Sequence, residues 1–330
     1  MTYQICLIEG DGIGHEVIPA GRRLLEATGL PIEFLQAEAG WDTFQRRGVA
    51  LPPETVAAVQ QADAVLFGAV SSPLKPVEGY RSPIVALRRE FKLFANLRPV
   101  LSQPIRTSRP NIDMLIVREN TEDLYSGRER SDGNEAITER VITRTASERI
   151  VRLAYQIATE RRRKITIVHK ANIMRATCGL FRQVALEISM IYPGVQTEEM
   201  LVDTTAMRLV TDPERFDVIV TTNLFGDILS DEAAGLVGGL GISPSGNIGD
   251  GKALFEPVHG SAPDIAGRGI ANPTATFLAV AMLLDYISEK ATAQRVRQAV
   301  DATLRDGILT PDLGGCAQTE DVVKAVIQHL

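Results

Sequence analysis

Short apolar strand patterns alternate with helical patterns along most of this chain. The strand patterns lie at residues 3–8, 62–67, 112–117, 164–168 and 217–221. The helical patterns lie at residues 83–90, 146–159, 175–190, 226–237, 274–288, 292–305 and 320–329. Short strands that alternate with helices are typical of an α/β fold with a largely parallel sheet. A length of 330 residues is large for one hydrophobic core, so two domains are expected.

Two segments interrupt this alternation. Residues 125–145 are polar and loosely β-like, and the Ser-Asp-Gly-Asn turn signal at 131–134 predicts a hairpin that projects from the body. A disordered surface loop is the alternative interpretation. Residues 238–251 are rich in glycine, serine and proline, and we expect no regular structure there.

Charge and composition exclude several classes of protein. A net charge of −6 without a basic stripe argues against nucleic-acid binding. The dense cationic run at 161–164 is predicted to be a solvated turn. No apolar run approaches the ~20 residues that span a bilayer, so no membrane partner is expected. The N-terminus enters a strand pattern directly, without the features of a signal peptide, which favours the cytoplasm.

The three cysteines stand far apart, at Cys6, Cys178 and Cys316. Their odd number and the absence of CxxC spacing argue against a disulfide scaffold or a zinc site, and fit a reducing compartment. Cys6 lies inside an apolar strand pattern and is interpreted as a core residue.

Glycines at positions 10, 12 and 14 follow the first strand pattern. Their spacing differs from the dinucleotide-binding fingerprint, which requires two residues before its third glycine. A tight turn from strand to helix explains them, although a nucleotide passing nearby remains open.

Two aspartates lie one helical turn apart, at Asp227 and Asp231. Like charges at this spacing repel each other on one helix face. A divalent cation such as Mg²⁺ or Mn²⁺, which prefers oxygen ligands, would reverse this effect. Asp203, after a strand-like stretch, is a candidate third ligand. An ordinary solvated acidic face is the alternative.

Candidate proton-transfer groups are Lys170 and Tyr125. Lys170 follows an apolar strand pattern, and α/β folds place ligands at the ends of buried strands. A partly desolvated lysine beside a metal is a usable base, and Tyr125 is a candidate for the complementary acid. Structural roles remain open for both. His169 and His259 are interpreted as structural histidines rather than metal ligands.

Three arginines, Arg88, Arg98 and Arg118, stand at the ends of separate elements. The planar guanidinium matches a carboxylate with two parallel hydrogen bonds. These arginines are therefore candidates for binding an acidic substrate, with surface salt bridges as the alternative.

Four segments resemble signature segments of the β-decarboxylating dehydrogenases, the family of isocitrate, 3-isopropylmalate, homoisocitrate and tartrate dehydrogenases. These segments are residues 118–125 (RENTEDLY), 169–172 (HKAN), 223–231 (NLFGDILSD) and 259–267 (HGSAPDIAG). The resemblance covers the chain from the glycines at 10–14 to the TPDLGG segment at 310–315. Within the family, residues 72–73, 79–90 and 122–125, with TPDLGG, resemble homoisocitrate dehydrogenases most.

The resemblance implies the two-domain isopropylmalate dehydrogenase-like fold, which is not a Rossmann fold. Residues 1–98 and 252–330 would form a large, discontinuous domain, and 99–251 a small domain with a dimerisation arm at about 125–145. The active site would lie in the interdomain cleft. It would be shared in a homodimer or homotetramer, with Lys170 and Asp203 coming from the partner of the chain that supplies Tyr125, Asp227 and Asp231.

The resemblance also implies a role for each site residue. The catalytic residues would be Lys170 as general base and Tyr125 as general acid. The metal ligands for Mg²⁺ or Mn²⁺ would be Asp203, Asp227 and Asp231. The substrate would contact Ser72, Arg81, Ser82, Val85, Arg88, Arg98, Arg118, Tyr125, Lys170 and Asn172. The cofactor NAD would contact Val70, Ser72, Asn172, Gly260, Ser261, Ala262, Pro263, Asp264, Ile265 and Asn272.

The function that this resemblance implies is NAD-dependent oxidative decarboxylation of homoisocitrate to 2-oxoadipate, in the α-aminoadipate route of lysine synthesis, with activity on isocitrate as well. The enzymatic alternatives are 3-isopropylmalate dehydrogenase of leucine synthesis and isocitrate dehydrogenase. The non-enzymatic alternative is a regulatory subunit that keeps the fold without catalysis.

Overall fold

The chain divides into two compact units, each built from separate stretches of sequence. The computed structural model describes residues 2–73, 75 and 77–330. Unit 1 comprises Met1–Leu93, Gln103–Ser108 and Gly238–Leu330, and unit 2 comprises Phe94–Ser102 and Arg109–Val237. The resemblance predicts domain boundaries at residues 98 and 252. In the structure the first stretch of unit 1 ends at Leu93 and its last stretch begins at Gly238.

Strands and helices alternate along both units. The strands are β1 (Tyr3–Gly10), β2 (Ile32–Ala37), β3 (Ala64–Ala69), β4 (Ala95–Leu101), β5 (Asp113–Glu119), β6 (Glu129–Ser131), β7 (Ala136–Thr138), β8 (Lys164–His169), β9 (Gln196–Leu201), β10 (Val218–Thr221), β11 (Pro244–Ile248) and β12 (Ala253–Pro257). The helices are α1 (Gly14–Ala27), α2 (Trp41–Arg47), α3 (Pro53–Gln61), α4 (Pro83–Glu90), α5 (Arg144–Thr159), α6 (Thr177–Ser189), α7 (Val202–Thr211), α8 (Asn223–Val237), α9 (Thr274–Tyr286), α10 (Lys290–Arg305) and α11 (Thr319–His329).

Unit 1 is a twisted sheet with helices packed on it. Its strand order is β2-β1-β3-β12-β11, parallel except for the pairing of β11 with β12. Every residue of β3 is buried, as expected for a parallel strand covered on both faces. Helix α1 packs closely on this layer, because a Cβ at Gly21 would lie only 2.9 Å from Thr276 Cγ2 and 3.0 Å from Leu66 Cδ2.

Unit 2 contributes five sheet strands, in the order β4-β5-β10-β8-β9. Strand β4 runs antiparallel to β5, whereas β5, β10, β8 and β9 are mutually parallel. Parallel strands end at the same edge of a sheet, which is where open α/β sheets bind ligands. In register, Arg118 of β5 lies beside Thr221 of β10, and His169 of β8 beside Leu201 of β9.

The hairpin predicted within residues 125–145 is present. Strands β6 and β7 pair antiparallel, with Ser131 opposite Ala136. In the connecting turn, Asp132 Oδ1 accepts hydrogen bonds from the backbone N–H groups of Asn134 at 2.9 Å and Glu135 at 2.8 Å. These bonds, above all the one from Glu135, lower the pKa of the Asp132 carboxyl.

The prediction that residues 238–251 have no regular structure is wrong. They contain β11, which pairs antiparallel with β12. Pro244 begins the strand, where its missing N–H is tolerated. Gly246 is closely packed, since a Cβ there would lie 3.0 Å from Met282 Cε and 3.1 Å from the Phe255 ring. The loop-like composition therefore reflects the packing of a buried strand.

The cationic run at 161–164 is not a simple solvated turn. Arg161 Nε donates to Asp217 at 2.8 Å and its Nη2 donates to Asp113 Oδ1 at 2.6 Å. Lys164 Nζ donates to the carbonyl oxygen of Arg215 at 3.1 Å. Because Asp217 is buried, these bonds satisfy a carboxylate that would otherwise be costly. The run thus connects the beginnings of the neighbouring strands β5, β10 and β8 through hydrogen bonds.

Cys6 is fully buried, as predicted, and its burial raises the pKa of the thiol to about 12. It behaves as a small apolar core residue. Across the part of the chain that the structure describes, no helix is both long and apolar enough to cross a membrane.

Candidate active site

Five of the predicted site residues meet at the carboxyl edge of the unit 2 sheet. We call them the Asp227 cluster, which comprises Arg98, Arg118, Tyr125, Asp227 and Asp231. Arg118 Nη1 donates to Asp227 Oδ1, and Tyr125 Oη donates to Asp227 Oδ2 at 2.5 Å. Arg98 Nη1 donates to Asp231 Oδ1 at 2.7 Å and its Nη2 lies 3.4 Å from Asp227 Oδ1. The two aspartates on α8 therefore face two guanidinium groups.

Arg118 is held rigidly at the end of β5. Its side chain is only 2% exposed, so it is not a surface salt-bridge residue. Asn223 Oδ1 accepts from Arg118 Nε at 2.9 Å and from Nη2 at 2.7 Å. Gly226 makes room for the aliphatic stem, because a Cβ there would lie 2.6 Å from Arg118 Cγ. Neither Asn223 nor Gly226 was a predicted site residue, although both lie in the 223–231 signature segment.

Tyr125 lies in a short 3-10 helix, Leu124–Ser126, which follows β5 after residues 120–123. The Arg118 guanidinium carbon lies 5.3 Å from the centre of the Tyr125 ring. Burial, followed by the hydrogen bond to Asp227, raises the pKa of the Tyr125 phenol. A phenol is protonated near neutral pH even at its ordinary pKa, so Tyr125 carries the proton that a general acid donates.

Lys170 and Asp203 form a separate pair on the neighbouring strands of the same sheet. Lys170 follows β8, and Asp203 lies in the first turn of α7, directly after β9. Lys170 Nζ donates to Asp203 Oδ1 at 2.6 Å. This hydrogen bond lowers the pKa of the Asp203 carboxyl. The Asp227 cluster, by contrast, lies on β4, β5, α8 and the 3-10 helix of Tyr125.

The carboxylates of unit 2 suit Mg²⁺ or Mn²⁺ in ligand type, since both ions prefer oxygen and often take only a few carboxylates plus substrate oxygens. Arg98 and Arg118 offset the repulsion between Asp227 and Asp231, which a divalent cation would also do. Within the described residues, no group of three or more His, Cys, Asp or Glu side chains comes together to hold a metal. A set formed by Asp227, Asp231 and Asp203 is therefore not assembled within one chain.

Unit 1 carries five further predicted substrate residues, namely Ser72, Arg81, Ser82, Val85 and Arg88. Arg88 Nη2 lies 3.1 Å from Glu256 Oε1, and both side chains are largely buried. Glu256, which the sequence analysis missed, also accepts from Asn247 Nδ2 at 2.7 Å. Around the start of α4, Arg81 is exposed, and Ser82 and Val85 are half-buried. Ser72, earlier in the chain, is also exposed.

The glycines at 10, 12 and 14 form the tight turn that was predicted. Gly10 has φ 79° and Gly12 has φ 57°, in the left-handed region that favours glycine. A Cβ at Gly12 would lie 2.1 Å from the Ser261 carbonyl oxygen. Ile13 N donates to that oxygen at 2.9 Å, so the turn packs directly on the segment 260–265.

Asp11, within this turn, is a structural residue that the sequence analysis did not identify. Its buried carboxylate accepts from the backbone N–H groups of Trp41 at 2.8 Å, Asp42 at 2.9 Å and Ser71 at 2.7 Å. Ser71 Oγ in turn donates to Ser261 Oγ at 2.7 Å. Asp11 N also donates to the Ala69 carbonyl oxygen at 2.7 Å. Asp11 therefore fixes the chain on both sides of the predicted cofactor residue Val70, which is half-buried.

The predicted cofactor residues 260–272 differ in how much solvent they meet. Gly260, Pro263 and Asp264 are exposed, whereas Ser261 is buried and Ala262 and Ile265 are half-buried. Asn272 is buried, and its amide is held by protein groups. Its Nδ2 donates to Asp312 at 3.0 Å and its Oδ1 accepts from Thr274 N at 3.0 Å. Asn172, predicted to contact both ligands, is exposed.

The two histidines make protein contacts, in agreement with the structural interpretation. His169 Nε2 lies 3.2 Å from Glu199 Oε2, and its Nδ1 accepts from Ala171 N at 3.2 Å. His259 Nδ1 lies 3.0 Å from the carbonyl oxygen of Gly260. Burial lowers the pKa of both imidazoles.

Known proteins resemble the chain over its full length. The model of the isocitrate/isopropylmalate dehydrogenase family matches residues 4–326. An isocitrate/homoisocitrate dehydrogenase of Thermus thermophilus is 59% identical, with 100% of this chain and 99% of the relative covered. A homoisocitrate dehydrogenase of Methanocaldococcus jannaschii is 51% identical, covering 99% and 97%. A 3-isopropylmalate dehydrogenase of Methanothermobacter thermautotrophicus is 50% identical, covering 100% and 99%.

A solved structure has the same fold. The crystal structure of isocitrate dehydrogenase from Methylococcus capsulatus superposes with a TM-score of 0.94 at 42% identity, and 99% of each chain is covered. The chain belongs to the isocitrate/isopropylmalate dehydrogenase family. This is a family of NAD(P)-dependent, divalent-metal-dependent dehydrogenases that act on a hydroxyl group of a small molecule. The predicted fold class is confirmed.

Proposed function

We propose that this protein is a homoisocitrate dehydrogenase that uses NAD and Mg²⁺ or Mn²⁺, with activity on isocitrate as well. The observation that carries the proposal is the convergence of Arg98, Arg118 and Tyr125 on Asp227. Such a site offers cations for substrate carboxylates and a protonated phenol beside carboxylates suited to a metal. Relatives named homoisocitrate dehydrogenase and isocitrate/homoisocitrate dehydrogenase support the choice of substrate.

In the proposed reaction, Lys170 takes the proton of the substrate hydroxyl as a hydride leaves the same carbon. A bound nicotinamide cofactor would supply the hydride acceptor. A divalent cation held by Asp203, Asp227 and Asp231 would supply Lewis-acid polarisation of the substrate oxygen. Loss of CO₂ from the resulting β-keto acid leaves an enolate, and Tyr125 protonates its carbon. Arg88, Arg98 and Arg118 hold the carboxylates that homoisocitrate, isocitrate and 3-isopropylmalate share.

Because the three substrates share this malate moiety, selection must act on the group at C3. We propose that Ser72, Arg81 and Ser82 recognise a terminal carboxylate there, while Val85 lines the apolar side. Exposure of Arg81 at the N-terminal end of α4 supports this role, since its charge remains available to a ligand. The relative named 3-isopropylmalate dehydrogenase, at 50% identity, supports the competing assignment.

The substrate assignment is tested by measuring kcat/KM for homoisocitrate, isocitrate and 3-isopropylmalate side by side, with NAD and Mn²⁺. We expect homoisocitrate to be the best substrate. An apolar pocket discriminates against one extra or missing methylene by only about 10–200-fold in kcat/KM. A site that hydrogen-bonds a polar group of the substrate rejects an analogue without that group far more strongly. The double variant Arg81→Ala/Ser82→Leu should therefore lose activity on the tricarboxylates homoisocitrate and isocitrate. Its activity on 3-isopropylmalate should be unchanged. A wild-type preference for 3-isopropylmalate of about tenfold or more would overturn the assignment.

The cofactor is expected to be NAD rather than NADP. We propose that the exposed Asp264 accepts hydrogen bonds from the hydroxyls of the adenosine ribose. A carboxylate at this place repels a 2′-phosphate. The variant Asp264→Lys should narrow the ratio of kcat/KM for NAD over NADP, and Asp250→Lys is a matched control on an exposed loop. Equal kcat/KM for the two cofactors in the wild type would refute the proposal.

We also propose that the active site is completed in a homodimer, in which Lys170 and Asp203 come from the partner chain. Three exposed apolar side chains on α7 and α8 support this proposal. Met207 is 52% exposed, Val210 is 56% and Ile228 is 58%. Light scattering should give the mass of at least two chains for the wild type, and of one chain for Met207→Lys/Ile228→Lys. A monomeric, fully active wild type would contradict the shared site.

The regulatory-subunit alternative predicts no turnover with any of the three substrates. Lys170, Tyr125 and the three aspartates, all present in the sequence, favour catalysis instead. An assay of NADH formation in the presence of Mn²⁺ separates the two alternatives.

A further inference from the structure

Asp123 is a fully buried carboxylate two residues before Tyr125. Its backbone has φ 75°, a conformation that a non-glycine residue adopts only when its surroundings hold it there. Its Oδ1 accepts from Leu124 N at 2.9 Å, and its Oδ2 accepts from Leu224 N at 3.2 Å. A carboxylate at a helix N-terminus is stabilised by the free N–H groups and the helix dipole. Asp123 therefore binds both the Tyr125 turn and the first turn of α8.

Arg140 supplies the counter-charge from the returning side of the β6–β7 hairpin. Its Nε lies 2.7 Å from Asp123 Oδ1, and its Nη2 donates to Asp123 Oδ2 at 3.0 Å. Nη2 also donates to Thr222 Oγ1 at 2.6 Å, in the residue before α8. The guanidinium carbon lies 4.5 Å from the centre of the Phe225 ring, and the side chain is only 10% exposed. Arg140 thus also contacts Thr222 and Phe225 at the start of α8.

A second bridge reinforces this connection. Asn223 Nδ2 donates to the carbonyl oxygen of Glu122 at 3.1 Å, while its Oδ1 accepts from Arg118. Asp123 also forms a backbone bridge with Val141, beside Arg140. The Tyr125 turn, the start of α8 and the returning hairpin strand are therefore tied together through buried polar groups. Breaking a buried ion pair by removing one partner is costly, because an uncompensated charge remains.

We propose that Asp123 and Arg140 are a positioning pair that sets the Tyr125 hydroxyl against Asp227. Neither residue need touch substrate. Asp123 fixes the backbone on which Tyr125 is carried and the helix on which Asp227 is carried, and Arg140 holds Asp123 in place. The hairpin thereby controls the geometry of the acid group. This inference rests on the proposed function, in which Tyr125 is the general acid.

The test is a double-mutant cycle between Arg140→Met and Tyr125→Phe. Misplacing a catalytic group by about 1 Å can cost ~10²-fold in rate, so we expect Arg140→Met to lower kcat by about 10–100-fold with little change in KM. If Arg140 acts through Tyr125, the double variant should turn over no more slowly than Tyr125→Phe alone. Arg140→Lys should recover part of kcat. Arg130→Met, on the same hairpin but 66% exposed, is the matched control and should keep wild-type kcat.

If the fold-losses in kcat of the two single variants multiply in the double variant, the proposal is overturned. Independent effects of this kind indicate that Arg140 has a general structural role. Hydrogen exchange provides a readout that does not depend on activity, because the amides of Leu124 and Leu224 should exchange faster in Arg140→Met than in Arg130→Met. If Arg140→Met does not fold, Asp123→Asn is put through the same cycle. Wild-type kcat in Tyr125→Phe would instead refute Tyr125 as the acid. Loss of kcat in Tyr125→Phe but not in the folded Arg140 variants would refute only the positioning pair.

Discussion

Lys170→Met is expected to lower kcat by about 10²–10⁴-fold, the usual contribution of a general base. The substitution keeps most of the side-chain volume and removes the amine that takes the hydroxyl proton. Its partner Asp203 is 62% exposed, so the carboxylate left behind stays hydrated and the fold should persist. Because the base acts in the transition state rather than in binding, the Kd for substrate should change little. Steady-state kinetics and calorimetric titration of substrate measure the two quantities.

The matched control for this substitution is Lys324→Met, on α11 of unit 1. Lys324 is 67% exposed and its nearest carboxylate belongs to Glu320, one helical turn away. The variant Lys324→Met should therefore have the kcat and the substrate Kd of the wild type. Wild-type turnover in Lys170→Met would exclude Lys170 as the base, and a large rise in substrate Kd with unchanged kcat would make it a binding residue instead.

The second large effect is expected for Asp227→Asn. The carboxylate accepts from Arg118 and Tyr125, and under the proposed function it also binds the metal. Loss of an outer-shell partner alone weakens metal binding roughly 10–100-fold, so loss of a direct ligand should weaken Mn²⁺ binding at least that much. Titration of Mn²⁺ followed by electron paramagnetic resonance measures this binding without any turnover. Turnover at saturating substrate should fall in parallel.

A control aspartate separates the ligand role from a general change of charge. Asp301→Asn, on α10, removes a carboxylate that pairs only at the surface with Arg305 one turn away. It should leave Mn²⁺ binding and kcat unaltered. Arg118 keeps its two hydrogen bonds to Asn223 in Asp227→Asn, so this variant should also fold. Unchanged Mn²⁺ affinity in folded Asp227→Asn would remove Asp227 from the metal site.

The sequence was sufficient for the α/β class and for most helices. Helix α4 has the predicted bounds, 83–90, and α8 begins three residues before its predicted start at 226. These elements are long enough for their apolar periodicity to be read locally. The strands that were missed include β2, with exposed residues at two positions, and β11, which contains glycine and proline. Their place in the sheet is decided by neighbours distant in sequence, which a local pattern does not reveal.

The sequence alone suggests some candidate site residues and not others, because only some of their features are local in sequence. Lys170 and Asp227 could be proposed as candidates because strand ends and helical spacing are local features. The residues that hold the site were missed, because their partners are far away along the chain. Asp123 accepts from Leu224, 101 residues on, and Asn223 accepts from Arg118, 105 residues earlier. Only the pairing of β5 with β10 brings these groups together.

The reaction proposed for this protein is metal-dependent oxidative decarboxylation of a 2-hydroxy-3-carboxy acid. The most direct test is to measure NADH and CO₂ together, with homoisocitrate and NAD, before and after addition of Mn²⁺ to metal-free protein. We predict that both products form only with the metal and in equal amounts. Equal rates without metal, NADH without CO₂, or no turnover with homoisocitrate, isocitrate or 3-isopropylmalate would contradict the account.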